Sequence, residues 1–215
     1  MALATDFASS VQGVRLRITP LQSTGAVQTP TPPVLVTDGF IRLSFGLEYT
    51  DGDEIEEKNA AGTTCNYWKG ADSLKRLNIG LSLCSPDPTI TSILTGGNVI
   101  GTGIIEGYKA PATGAISPLP VAMEVWSYAN VGGKAVSGGA YWRWMFPWVT
   151  VRWEGDREIS NGALANEFSG FGLGNAALGT GIADWTWGGV DRPFAYVRTN
   201  TLPTVGWTGT ALIPS

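Results

Sequence analysis

The sequence predicts a mainly β fold, a sandwich or partly open barrel with one short flanking α-helix and extended loops or arms. Three observations carry this. Twenty-nine glycines and thirteen prolines interrupt helices, nine tryptophans among 10% aromatic residues suit pleated surfaces, and several segments alternate apolar and polar residues with the period of a strand. A hydrophobic share of 43% can build a sizeable core. No linker or fixed-period repeat divides the 215 residues, so residues 1–215 read as one domain.

The elements follow in chain order. A strand is expected over Val14–Ile18, then a Pro-rich arm or loop over about 20–38 containing "TPTPPVL", then a strand beginning near Gly39. In "LKRLNIGLSLC", Leu77, Ile79, Leu81 and Leu83 face one way, and Arg76, Asn78, Gly80 and Ser82 the other. That is a half-buried strand whose wet face is unusually small and polar. Pairing it as a hairpin with residues 62–68, around a turn near Lys69–Ser73, sets Cys65 opposite residue 77 and away from Cys84. Two free, buried thiols are therefore expected. "SPDPTITSILTGG" has the signals of a short helix: Ser85 or Asp87 as N-cap, a proline at the first position, an Ile90/Ile93/Leu94 stripe and Gly96 as terminator.

Two longer strands, "VAMEVWSYA" at 121–129 and "YWRWMFPWVTVRW" at 141–153, flank a glycine-rich turn. In the second, Trp142, Trp144, Phe146 and Trp148 share a face, while Tyr141, Met145, Val149, Val151 and Trp153 fill most of the other. Such a strand must be covered on both sides, and Pro147 inside it implies a bulge or an edge. An extended C-terminal arm is expected over about 186–215.

Charge excludes several functions. A formal −4 and a pI near 4.8 leave no basic footprint for gripping nucleic acid. The chain has no histidine, which removes Ser–His–Asp and Cys–His nucleophilic pairs and the usual zinc spheres. Glu154, Asp156 and Glu158 are the carboxylates that a histidine-free glycosidase would need, but acids at a strand end beside Arg152 and Arg157 are ordinary solvated groups. The tryptophans can instead stack on sugar rings without catalysis. "GFGLGN" at 170–175 lacks a following helix to hold phosphate. The N-terminal "MALATDFASSVQG" has neither the positive region nor the apolar core of a secretory signal, so synthesis in a cytosol is expected. No catalytic residue, metal or cofactor is assigned.

One stretch stands out. "DGDEIEEKNAAGTTC" at 51–65 sets Asp53, Glu54, Glu56 and Glu57 around a lone Ile55, followed by Lys58. Its sixth and twelfth positions are Glu56 and Gly62, which is not the calcium-loop pattern. It reads as a projecting contact element whose charges keep an edge from pairing indiscriminately.

Taken together, "GDEIEEKNAAGTTC", "LKRLNIGLSLCSPDPTITSILTGG" and "YWRWMFPWVTVRWEGDREISNGALANEFSGFGLGN" resemble, over roughly residues 14–180, the major tail (tail tube) proteins of long-tailed bacteriophages, particularly those infecting actinobacteria. The elements occur in that family's order, although tryptophan is denser here. The resemblance implies a virion protein that is not an enzyme. It would be synthesised and assembled in the host cytoplasm, six copies closing into a ring and rings stacking into a hollow tube for DNA passage. Partners implied are further copies of itself, tape measure and tail terminator or tip proteins, and DNA in transient, non-specific passage, with no membrane. Arg76, Asn78, Gly80 and Ser82 are then candidates to line the lumen. Asp53, Glu54, Ile55, Glu56, Glu57, Lys58, Trp142, Trp144 and Trp148 are candidates for contacts between subunits or rings. Six copies at −4 each give a formal −24, a wall that opposes adhesion of a polyanion. The competing expectation is a carbohydrate-binding β-sandwich module of a virion or cell-surface assembly.

Overall fold

A computed structural model describes residues 8–28, 34–84, 86–102, 105–114, 120–131, 134–135, 139–155, 166–178, 191–204 and 206–208. The strands are β1 (Ser9–Pro20), β2 (Val34–Thr37), β3 (Phe40–Thr50), β4 (Glu54–Lys58), β5 (Thr64–Lys69), β6 (Ser73–Leu83), β7 (Asn98–Thr102), β8 (Ile105–Lys109), β9 (Val121–Val131), β10 (Lys134–Ala135), β11 (Tyr141–Trp153), β12 (Asn166–Leu173), β13 (Ala195–Thr199) and β14 (Gly206–Thr208). One helix, α1 (Pro88–Thr95), lies between β6 and β7.

Ten strands form one antiparallel sheet in the order β14-β2-β1-β9-β11-β12-β6-β3, with β10 on β9 and β13 on β11. The strand β11 turns this sheet into a sandwich. Its first half pairs with β9 and β13 and its second half with β12, and the pairing to β9 slips between Phe146 and Val149, around Pro147. The expected bulge is there, and it reverses the faces. Trp144 and Phe146 before it, and Val149, Val151 and Trp153 after it, all turn to the same core. Trp148 is thereby separated from Trp144, correcting the single tryptophan face expected from strict alternation. The missing donor of Pro147 costs nothing at a point where the ladder is already interrupted.

The two layers meet through apolar side chains. Leu16, Ile18, Met123 and Phe146 come from one, and Leu77, Ile79, Leu81, Leu83 and Phe168 from the other, all of them buried. Phe45 of β3, 39% exposed, reaches the buried Phe146, ring centroids 5.1 Å apart and edge-on. The helix closes one side, burying Ile90 and Leu94. Its caps are those expected: Asp87 Oδ1 accepts from the backbone N–H of Thr89 at 2.8 Å and of Ile90 at 2.9 Å, Pro88 occupies the first turn, and Gly96 ends it at φ 77°. Gly170 permits the tightest approach in the sheet, since a Cβ there would stand 1.9 Å from the Thr150 carbonyl oxygen.

Three expectations change. Residues 64–69 pair with β4, not β6, while β6 is taken by β3 on one side and β12 on the other. The chain from Phe40 to Leu83 is one long ribbon, and local hairpin logic misses it because the partner of β6 precedes the acidic stretch. Cys65 and Cys84 are free, as expected, but both are exposed, not buried, since Cys65 lies on the ribbon and Cys84 just past the end of β6. Third, the described parts of both arms fold onto the chain's own sheet. Val34–Thr37 pairs with β1 and buries Val34, Leu35 and Val36; Ala195–Thr199 pairs with β11; Gly206–Thr208 pairs with β2. Val34–Thr37, apolar and largely β-branched, gains ladder bonds and burial at once.

The layer β1–β9–β11 also encloses charge. Arg17 Nε donates to Glu124 Oε2, and Arg143 Nε donates to Glu124 Oε1 at 2.8 Å, with all three side chains buried. The Trp126 ring stands 5.3 Å from the Arg17 guanidinium and 5.5 Å from that of Arg143. One carboxylate thus ties three neighbouring strands.

Candidate functional site

Two surfaces hold the residues singled out in the sequence. The first is the outer face of the layer β11–β12–β6–β3. Register sets Ser44, Gly80, Ser169 and Arg152 in one rung across the four strands, and Gly46, Asn78, Phe171 and Thr150 in the next. Six of these eight residues are small or of modest size, and with Arg152 and Phe171 they line a groove of about 840 Å³. Of the four predicted residues, Asn78 is exposed, Arg76 and Gly80 are half-buried, and Ser82 is buried. Ser82 sits between Arg42 and Glu167 on the flanking strands, and their long side chains cover it. The small, wet face inferred for one strand extends over four.

Charge on this face is mixed. Arg76 Nε donates to Glu48 Oε2 at 2.7 Å, Lys75 Nζ lies 3.0 Å from Glu48 Oε1, Arg42 stands 4.0 Å from Glu167, and Arg152 and Glu154 line the groove together. The Arg76 hydrogen bond, reinforced by Lys75, lowers the Glu48 carboxyl to a pKa of about 2. The guanidinium of Arg76 also lies 5.7 Å from the Phe171 ring centroid. The named groups of the wall expected to be acidic are thus four cations and three carboxylates.

The second surface is the ribbon beyond β3 and β6. Asp51, Gly52 and Asp53 on one strand, and Gly70 to Asp72 on the other, make a joint closed by Gly70 N–H to Asp53 O at 2.8 Å and Gly52 N–H to Asp72 Oδ1 at 3.0 Å. Past it β4 and β5 form a separate two-stranded sheet with every side chain exposed. Asn59 shapes the tip, its Oδ1 accepting from the N–H of Ala61 at 3.0 Å and of Thr63 at 2.9 Å. Ile55 stands directly opposite Trp68, with Glu57 and Asn66 next along the same face; Glu54, Glu56 and Lys58 take the other face. Glu56 accepts from Thr64 Oγ1 at 2.7 Å and stands 3.4 Å from Lys58. Residues 51–69 hold five acids against Lys58 and Lys69, a formal −3 of the whole chain's −4.

The predicted tryptophans are not on the ribbon. Trp142, Trp144 and Trp148 are half-buried within β11. Trp144 contacts Phe45 at 5.6 Å and Tyr196 at 4.8 Å, Trp142 contacts Tyr196 at 5.5 Å, and Trp142 Nε1 donates to Ala8 O at 3.1 Å. Trp148 lies beside Gly25. The aromatic residues missed on β5 are Tyr67 and Trp68, whose stretch, "NYWKG", advertises no alternation. Asp156 and Glu158 lie outside the described residues, and Gly170 and Gly172 of the glycine cluster sit inside β12, packed against β11 and β6.

The chain matches no model of a known protein family and no curated protein sequence. Among the described residues no group of three potential metal ligands converges, and no helix is long and apolar enough to cross a membrane.

Proposed function

We propose that this chain is a structural, self-assembling virion protein, a subunit of the tail tube of a long-tailed bacteriophage, forming stacked rings around a channel for DNA. What supports the reading is the exposed ribbon. Leu47, Tyr49, Ile55, Tyr67, Trp68 and Leu74 are between 42% and 58% exposed along its two strands, an apolar display that calls for a partner surface. The four-strand polar face supplies the other half of the argument. Arg76, Asn78 and Gly80 belong to a face rich in short side chains, on which Glu48 holds Arg76 and Lys75 and Glu167 stands by Arg42, so DNA phosphates would find few free charges to grip. Ser82 supports the wall from beneath. Partners in this reading are further copies of the chain, tape measure and tail terminator or tip proteins, and DNA in passage, without a membrane.

Negative-stain electron microscopy of the concentrated protein tests this: rings or tubes are the expected outcome, and a monodisperse monomer at every concentration would refute it. The second reading, a carbohydrate-binding module, draws on Tyr196, 54% exposed beside Trp144 and Trp142. A monomer retarded on a polysaccharide column would favour it.

A further inference from the structure

Two complementary surfaces lie at opposite ends of the β3–β6 ribbon, where one molecule cannot bring them together. At the far end the Ile55–Trp68 cross-strand pair is 51% and 54% exposed, with Glu57 next on the same face. At the near end a cavity of about 320 Å³ opens between the start of β3 and the β1–β9–β11 layer. Its walls are largely apolar, with Ile41, Phe45, Trp144 and Phe146 prominent, and among the described residues the one charged residue lining it is Arg42, 67% exposed and 4.0 Å from Glu167. That volume suits a large aromatic side chain with an aliphatic neighbour. The chain's own hairpin cannot reach it. Fourteen residue steps separate positions 41 and 55, on the order of 45 Å of extended strand, and both strands of the ribbon are held in register by their ladders.

We infer that the Ile55–Trp68 pair of one copy seats in this groove of a second copy, with Glu57 meeting Arg42. The inference rests on the assembly reading and names the surface that receives the hairpin. Charge favours this occupant, because an acidic ribbon carrying a formal −3 meets a pocket whose one charged residue among those described is Arg42, a cation whose pair with Glu167 is long and solvent-exposed. The contact joins two different surfaces, so it propagates head to tail and does not close into a symmetric pair. Its repeat along the ribbon is no longer than about 45 Å.

Disulfide trapping tests it. In a Cys65→Ser, Cys84→Ser background, Ile41→Cys combined with Ile55→Cys should give a ladder of covalent multimers on mild oxidation, and a mixture of the two single variants only a heterodimer. Arg42→Glu should slow trapping roughly tenfold, and adding Glu57→Arg should restore it. Covalent dimers from Ile55→Cys alone would mean that hairpin meets hairpin, and a disulfide within one chain would mean that the groove takes its own ribbon; either overturns the inference. Rings or tubes without the ladder would overturn the groove assignment and leave the assembly reading standing. A wild-type chain that never associates would remove both.

Discussion

The β4–β5 hairpin keeps Glu54, Glu56 and Glu57 in water with Lys58 and Lys69 for company, whereas Glu124 alone is enclosed between Arg17 and Arg143. Within one molecule the hairpin carboxylates make exposed contacts, Glu56 with Thr64 and Lys58. One carboxylate in the wall holds three strands. The difference lies in the surroundings: in water an ion pair gains little over hydration, while a buried guanidinium that loses its counter-charge has nothing to replace it. The count of acids in a segment therefore says little about where electrostatics support the fold.

Removing the enclosed acid is the strongest way to break this contrast. Glu124→Ala should cost about 3–5 kcal/mol in urea unfolding, because two buried cations remain. Replacing Arg17, Glu124 and Arg143 together by Met, Leu and Met should recover most of that loss; failure to recover would mean that the charges themselves, and not their pairing, are required. Gly170→Ala, which forces a methyl against the Thr150 carbonyl, should cost about 1–3 kcal/mol in the same measurement. Asp87→Ala removes both side-chain bonds at the start of α1 and should cost about 1 kcal/mol.

Glu48 lies between the two extremes, on the surface yet held by Arg76 and Lys75. Its folded pKa is depressed, so the stability it adds is fully present above the ordinary glutamate value of 4.5 and is lost as pH falls through about 2. Arg76→Ala should move the Glu48 carboxyl titration, followed by carbon-13 NMR, upward from about 2 toward 4.5. The smallest effect is expected on the hairpin: Glu54→Gln with Glu56→Gln should shift unfolding stability by less than about 0.5 kcal/mol. A loss comparable to that of Glu124→Ala would erase the contrast altogether.

Local signals were readable where chemistry and geometry act within a few residues. The alternation of Leu77 to Leu83 predicts a strand buried on one face, and Asp87, Pro88 and Gly96 predict the helix with its caps. What was not readable depends on distant partners. The pairing of β6 with β3 spans the whole acidic stretch, and nothing in residues 62–84 distinguishes it from a local hairpin. The Arg17–Glu124–Arg143 cluster joins positions more than one hundred residues apart, and singly each looks like a surface charge. At Pro147 the bulge was legible, but its effect on the faces was not, because one slipped residue reverses every side chain beyond it. The wet face of β6 was legible for one strand, while its width needed the register of three others.

The passage of β11 from one layer to the other has a mechanical meaning. A single covalent backbone is woven into both sheets, so neither can slide over the other without stretching or unzipping that strand. A pull applied to the ribbon enters β6, crosses β12 and reaches β11, and from there it is carried into the opposite layer through chemical bonds as well as through contacts between side chains.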